Sequence, residues 1–396
     1  MKKGLLLCIA VVFVISYSNI LHAEKTSGVT GNTVKIGCVV DLTGPSSFPG
    51  RGANIGAETY FSHINDQGGV NGRKIKYLVE DNTYQPATAV AAFKKLIHRD
   101  GIFAVCFSWG TVTTLATANS IKRSQTPTIY YGNSEAIFNP PRHYLFSYQT
   151  SNYSQGQVIA NYIVNTLKSK ELKFGSIYQD DEFGRSSLRG FKDSAKTFGA
   201  EWVGEQHYKR GAISFTSQLL AMKKTGCTHL FLGSIPREGA SILREAGRIG
   251  WSPNFYGNSA MTINKLLELS GNSAEGYIGV SAVLGWNENN DAVKKVKDII
   301  LKYRKNLDGL SNHTLMAWAG AMLMTEGINK AGKNLTTNNL IGGLEAIKGF
   351  NPDGLISPIT WGPNQRDGGK GVRIIKADVE KKALVPISGW MTSKMK

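Results

Sequence analysis

Five short stretches carry the residue types that could do chemistry: Ser46-Ser47-Phe48, Ser108-Trp109-Gly110-Thr111, Tyr131-Gly132-Asn133-Ser134, Asp181-Glu182-Phe183-Gly184 and Gly257-Asn258-Ser259. Small residues let backbone N–H groups approach a ligand, hydroxyls add donors, and aromatic rings form apolar walls. That is the make-up of a small-molecule pocket. Catalytic chemistry is harder to assemble. The sequence holds no GxSxG, HExxH or GxxxxGK[ST] motif. Asp180-Asp181-Glu182 sets three acids in a row, but no nucleophile, base or oxyanion site accompanies them. Adjacent acids more often cap a following helix, here one opening near Ser186. His63, His98, His143, His207 and His313 sit in polar or helical contexts and read as solvated. No CxxC or Cys/His cluster exists, so neither a metal centre nor a cofactor is expected. The pattern is that of a binding protein and not of an enzyme.

These stretches need elements to position them. The run Val34-Lys35-Ile36-Gly37-Cys38-Val39-Val40 reads as a buried strand emptying into a Gly/Pro/Ser loop. Residues 51–66 then place Ala53, Ala57, Tyr60, Phe61 and Ile64 on one helical face. Residues 102–107 form a continuous apolar run, as expected of a strand covered on both faces. Strand, loop and helix alternate again through residues 126–134, which implies a parallel sheet with helices on its faces. A polar stretch over residues 147–154 reads as a crossing, after which the grammar restarts with strands at 174–178, 201–208, 229–232 and 255–256. The last third offers a strand at 277–283, helices at 292–303, 314–331 and 340–347, and late strands at 359–361 and 372–376. These segments complete two α/β lobes instead of making a third domain. In such sheets ligands bind beyond the carboxyl ends of the strands.

The totals agree with a two-domain globular chain: 396 residues, 41% hydrophobic and 19% charged. Met1-Lys2-Lys3, the apolar run to Leu21 and Ala23 fit a cleaved secretory signal peptide over residues 1–23; an N-terminal membrane anchor is the competing reading. The formal charge is +17, and Lys2 and Lys3 leave with the leader. The basic residues are scattered, so nucleic-acid binding is not expected. Cys38 and Cys106 both lie in apolar runs, either as buried thiols or as a disulfide.

Taken in order, Leu42-Thr43-Gly44-Pro45, Ile64-Asn65-Asp66-Gln67-Gly68-Gly69-Val70-Asn71-Gly72, Glu80-Asp81-Asn82, Tyr178-Gln179-Asp180-Asp181-Glu182-Phe183-Gly184, Ala274-Glu275-Gly276 and Gly354-Leu355-Ile356-Ser357-Pro358-Ile359-Thr360-Trp361 resemble the type I periplasmic solute-binding proteins, in their Leu/Ile/Val branch. The resemblance covers essentially all of the mature chain. It implies two doubly wound parallel-sheet lobes joined by three crossovers, here 24–151 plus 284–359 and 152–283 plus 360–396. It also implies a monomer in the periplasm that closes on a small ligand and hands it to ABC permease subunits. The same fold serves as a ligand-sensing regulatory module, which is the alternative function.

Carried over by position, the resemblance assigns the ligand carboxylate to Thr111 with Gly110 or Val112, and the next loop's donors to Gly132 and Ser134. It assigns second-lobe contacts to Phe183, Ile235 and Ser259. Trp109, Tyr131 and Tyr153 suit a flat or apolar ligand body, and Phe48 completes the candidate set. Amino-acid binders place an acid where Ser259 stands, and a second acid sometimes occurs where Asn152 stands. An ammonium group buried without a counter-charge costs several kcal/mol. The sequence near residues 178–185 looks more like relatives that take aromatic or other organic acids. The expected ligand is therefore a small carboxylate-bearing solute, with an amino acid disfavoured.

Overall fold

The computed structural model describes residues 26–393, so the leader assigned to residues 1–23 lies outside them. The first sheet has strands β1 (Thr33–Val40), β2 (Lys74–Asp81), β3 (Ala104–Trp109), β4 (Thr128–Tyr131) and β5 (Leu145–Ser147). They are parallel and ordered β2-β1-β3-β4-β5. Helices α1 (Ser47–Asp66), α2 (Pro86–His98), α3 (Thr111–Ser124) and α4 (Glu135–Phe138) connect them. Every residue of β3 is buried, as its unbroken apolar run requires. The strand order turns back between β1 and β3, so the loops after these strands diverge and leave a crevice.

After α5 (Asn152–Asn161), which ends in a π turn at Tyr162–Thr166, the second sheet repeats the plan. It uses β6 (Lys173–Gln179), α6 (Glu182–Thr197), β7 (Glu201–Tyr208), α7 (Thr216–Lys224), β8 (His229–Gly233), α8 (Pro236–Arg248), β9 (Asn254–Gly257), α9 (Asn264–Ser270) and β10 (Ile278–Ser281). Its turning point lies between β6 and β8. The chain then returns to the first lobe. Helix α10 (Asp291–Tyr303) touches α1, α11 (Asn312–Ala331) packs on α1, β3 and β4, and α12 (Thr337–Glu345) packs on α11. It ends in the second sheet with β11 (Arg373–Asp378) and β12 (Ala383–Pro386).

The crossings lie side by side. Thr150 Oγ1 donates to the Gly371 carbonyl at 2.8 Å, and Leu284 N–H donates to the Leu355 carbonyl at 2.8 Å. Two expectations change. The second sheet is not wholly parallel, because β10, β11 and β12 pair antiparallel. A connection as short as that between β11 and β12 can only make a hairpin. Residues 359–361 do not form a strand. Ile359 makes one bridge to Phe350, and Trp361 turns inward, its ring 5.3 Å from Phe146 and its indole N–H donating to the Ser147 carbonyl at 2.7 Å. Pro358 has no N–H to give a ladder. Trp361 and Arg366 thus pack on the first lobe, beyond the 359/360 boundary read from the sequence. Cys38, Cys106 and Cys227 are buried free thiols.

Candidate ligand-binding site

The turning points of the two sheets face each other across a cleft. The first lobe lines it with Ser46, Tyr84, Trp109, Gly110, Thr111, Tyr131, Gly132 and Asn133; the second with Phe183, Ile235, Ser259 and Ala260. Gln149 enters from the first crossing, and His313 from the start of α11.

Strand-end carboxylates and an amide set the first-lobe loops. Asp41, buried at the end of β1, accepts from Gly44 N–H at 2.6 Å and Ser46 N–H at 2.7 Å, which curls the loop and turns Ser46 to the cleft. Asp81 accepts from Leu42 N–H and Thr83 N–H at the end of β2. Asn82 donates to the Trp109 carbonyl at 3.0 Å and accepts from Tyr84 N–H at 2.8 Å. This holds Tyr84 at φ 56°, the left-handed region, with its side chain only 3% exposed.

An aromatic stack forms the wall behind. Trp109 and Tyr131 lie nearly parallel, with centroids 4.7 Å apart at 16°, and Phe107 meets Tyr131 edge-on at 4.4 Å. The Tyr131 hydroxyl hydrogen-bonds His313 Nδ1. Burial pushes the His313 imidazole down to about 4, so the ring is neutral at ordinary pH. Among the described residues, no Asp, Glu, Lys or Arg lines the cleft.

The helix starts at the cleft differ. Helix α3 begins after Gly110, which has φ 90° and offers no side-chain cap. A Cβ there would lie 2.8 Å from the Tyr84 ring, so only glycine fits. The first N–H groups of α3 have no intrahelical partner, and they open beside Gly110 and Thr111 on the cleft. Helix α6 is capped instead: Asp181 accepts from Phe183 N–H at 3.0 Å and Gly184 N–H at 3.3 Å. The acid run therefore caps a helix, beginning at Glu182 and not near Ser186.

The lobes meet around the cleft. Asn133 donates to Ser259 Oγ at 3.3 Å, Ser134 Oγ donates to Glu182 Oε1 at 3.0 Å, and Arg210 reaches from the second lobe to Tyr84. Ser259 N–H donates to Gln155 Oε1 at 2.9 Å. Asn152 is committed to the Phe183 carbonyl and Ser186 Oγ.

Of the residues expected from sequence, Trp109, Gly110, Thr111, Tyr131, Gly132, Phe183, Ile235 and Ser259 meet at the cleft. Three do not line it. Phe48 lies in the first turn of α1, its ring 5.4 Å from Lys265 Nζ. Ser134 caps α4 and faces Glu182. The Tyr153 hydroxyl turns to Asp193 Oδ2 at 3.0 Å. His313, read from sequence as solvated, stands in the cleft because α11 returns to the first sheet. Ser46 and Asn133 line the cleft from the stretches Ser46-Ser47-Phe48 and Tyr131-Gly132-Asn133-Ser134, in place of their neighbours Phe48 and Ser134. Tyr84, Gln149 and Ala260 carried no such signal, although Asn82 two residues before Tyr84 is a turn-forming residue at a strand end.

The chain matches the family described as "Periplasmic binding protein" over residues 33–383. It is 24% identical over 335 residues to an "Amino acid binding protein" of Pseudomonas aeruginosa, covering 84% of this chain and 85% of that one. It is 24% identical over 358 residues to the "Leu/Ile/Val-binding protein" of Escherichia coli K12, covering 89% and 90%. Among solved structures it resembles a "Fatty acid ABC transporter substrate-binding protein from Thermomonospora curvata", with TM-score 0.83, 25% identity and coverage of 93% and 94%. It shares its fold with a branched chain amino acid ABC transporter from Thermus thermophilus with bound valine, with TM-score 0.84, 22% identity and coverage of 92% and 98%. The family match runs from β1 to the start of β12 and so takes in both sheets and every loop that meets at the cleft: the chain belongs to the type I periplasmic binding proteins, in their branched-chain amino acid branch.

Proposed function

We propose that the protein is the extracytoplasmic receptor of an ABC importer, delivered to the periplasm by the leader at residues 1–23, and that it captures a small organic carboxylate between two closing lobes. The observation that carries the reading is the cleft itself: an aromatic wall, an uncapped helix start and no ionised side chain. The free N–H groups of α3 and the positive end of its dipole suit a carboxylate. Trp109, Tyr131, Tyr84 and Phe183 suit an aromatic or aliphatic body. The named relatives handle amino acids and a fatty acid. An amino acid would bring an ammonium that nothing in this lining neutralises, since Ser259 replaces the acid and His313 is neutral. The lobes are those built on the five- and seven-stranded sheets, with the last boundary moved past Arg366. Closure would bury the ligand, and permease subunits would read the closed form.

Thermal-shift titration with benzoate, phenylacetate, octanoate, leucine and valine tests this. A ligand at a hundred times its Kd stabilises the folded state by about 2.7 kcal/mol, a shift of several degrees. The organic acids should give it and the amino acids should not. A shift from leucine or valine alone returns the amino-acid reading, and silence across the panel ends the carboxylate reading.

A further inference from the structure

We propose that Arg210 is a positioning residue for ligand capture: it ties Tyr84, a wall of the cleft, to the second lobe and so sets how long a captured ligand stays. The inference rests on the reading of the protein as a receptor that closes on its solute. Arg210 follows β7 on the second lobe, whereas Tyr84 follows β2 on the first. One guanidinium makes three contacts. Nη1 donates to the Tyr84 carbonyl at 2.7 Å, Nη2 donates to Asp181 Oδ2 at 2.7 Å, and the guanidinium carbon lies 4.5 Å from the Tyr84 ring centroid. The Asp181 carboxylate is also the cap of α6, whose first turn presents Phe183 to the cleft. The same cation therefore touches a first-lobe wall directly and a second-lobe wall through one carboxylate.

Other charged contacts also join the lobes: Ser134 with Glu182 and Lys265 over Phe48 near the cleft, and Glu288 with Arg373 beside the crossings. The ion pair of Arg189 with Glu135 is 3.6 Å long, and its arginine is 46% exposed against 20% for Arg210. Screening weakens exposed pairs more than partly buried ones. The Asn133–Ser259 bond is neutral. Opening the lobes must break the carbonyl bond and the cation–π contact of Arg210 together. A fork of donors that bonds a carbonyl and a carboxylate while its carbon sits over a ring is a geometry lysine cannot reproduce. Losing such a contact speeds dissociation more than it slows association.

The test measures association and dissociation rates by stopped-flow tryptophan fluorescence, using the tightest binder among benzoate, phenylacetate, octanoate and leucine. Arg210→Ala should raise the dissociation rate about tenfold and leave the association rate within about twofold. Arg210→Lys should fall between and serves alone if Arg210→Ala does not fold. In a Tyr84→Asn background, which removes the ring and suits the left-handed backbone, Arg210→Ala should add less than threefold. An unchanged dissociation rate overturns the role of Arg210 while leaving the receptor reading intact. So does a loss of affinity confined to the association rate, or one that tracks a lowered Tm in both variants. No binding of any of the four compounds overturns the receptor's carboxylate reading and this inference with it.

Discussion

Helices α3 and α6 both start at the cleft, one in each lobe, and they start in opposite ways. Helix α6 spends its first N–H groups on Asp181, whereas α3 has a glycine before it and no side-chain cap. At α3 the first lobe thus keeps an anion-seeking surface in reserve, while at α6 the second lobe's is already neutralised by its own chain. Helix α8, after Ile235, also lacks a side-chain cap, but its first residue is Pro236, which has no N–H to offer. The division of labour follows. A carboxylate belongs on the α3 side, and the second lobe contributes cover, through Phe183 and Ile235, and tethers, through Asn133–Ser259 and Arg210.

The largest expected effect comes from closing the open start. Gly110→Ala adds a Cβ at 2.8 Å from the Tyr84 ring and 2.7 Å from Thr113 Oγ1, on backbone at φ 90°. Strained backbone of this kind costs about 1–3 kcal/mol. Denaturant melts should show that loss, and carboxylate affinity should fall about a hundredfold, by displacement of the wall.

Acid is next. His313 keeps a pKa of about 4 against 6.5 when unfolded, so the unfolded chain takes up the proton first. Stability should hold above about pH 6.5 and fall as pH drops towards 4, by about 3 kcal/mol for this residue. His229, stacked on Tyr256 in the second lobe and also near 4, contributes in the same direction. His313→Gln should remove only the first part, read as a smaller drop in denaturation midpoint between pH 7 and 4.5. An unaltered pH profile would mean that the cleft does not hold the ring neutral.

Thr111→Pro is milder. Proline is accepted at the first helical position but has no N–H to give. Carboxylate affinity measured by calorimetry should drop about tenfold, while Tm moves little. If affinity survives, the contrast between the two helix starts fails. The smallest effect is expected of Asp181→Ala, which uncaps α6 at a cost of about 1 kcal/mol in stability. Because Asp181 also holds Arg210, the ligand should dissociate faster without any change in its preference for carboxylates over amines.

What could be read from the chain follows from how local each cause is. The apolar run of β3 and the loops after it fix a buried strand and a small-residue turn without help from elsewhere, so Trp109, Gly110 and Thr111 were legible. Short elements were not. β5 has three residues, and β12 is placed by a hairpin. Ser134 and Asn133 have similar turn-forming chemistry, and only the start of α4 decides which one turns to the cleft and which caps the helix. His313 reaches the cleft because a helix some 180 residues after β4 packs back on it, which no local pattern records.

Tyr84 carries a consequence for how such a cleft can be diversified. Its backbone sits at φ 56°, and the preceding Thr83 at φ 49° already bears the same strain. Branched residues such as valine and isoleucine are poorly tolerated there, whereas glycine, asparagine and aspartate enter freely. A library at this position that samples all residues would lose its aliphatic members to backbone strain before selection for a ligand began. Variation would run between an aromatic wall and a small polar gap, two widely separated pocket shapes with few intermediate steps.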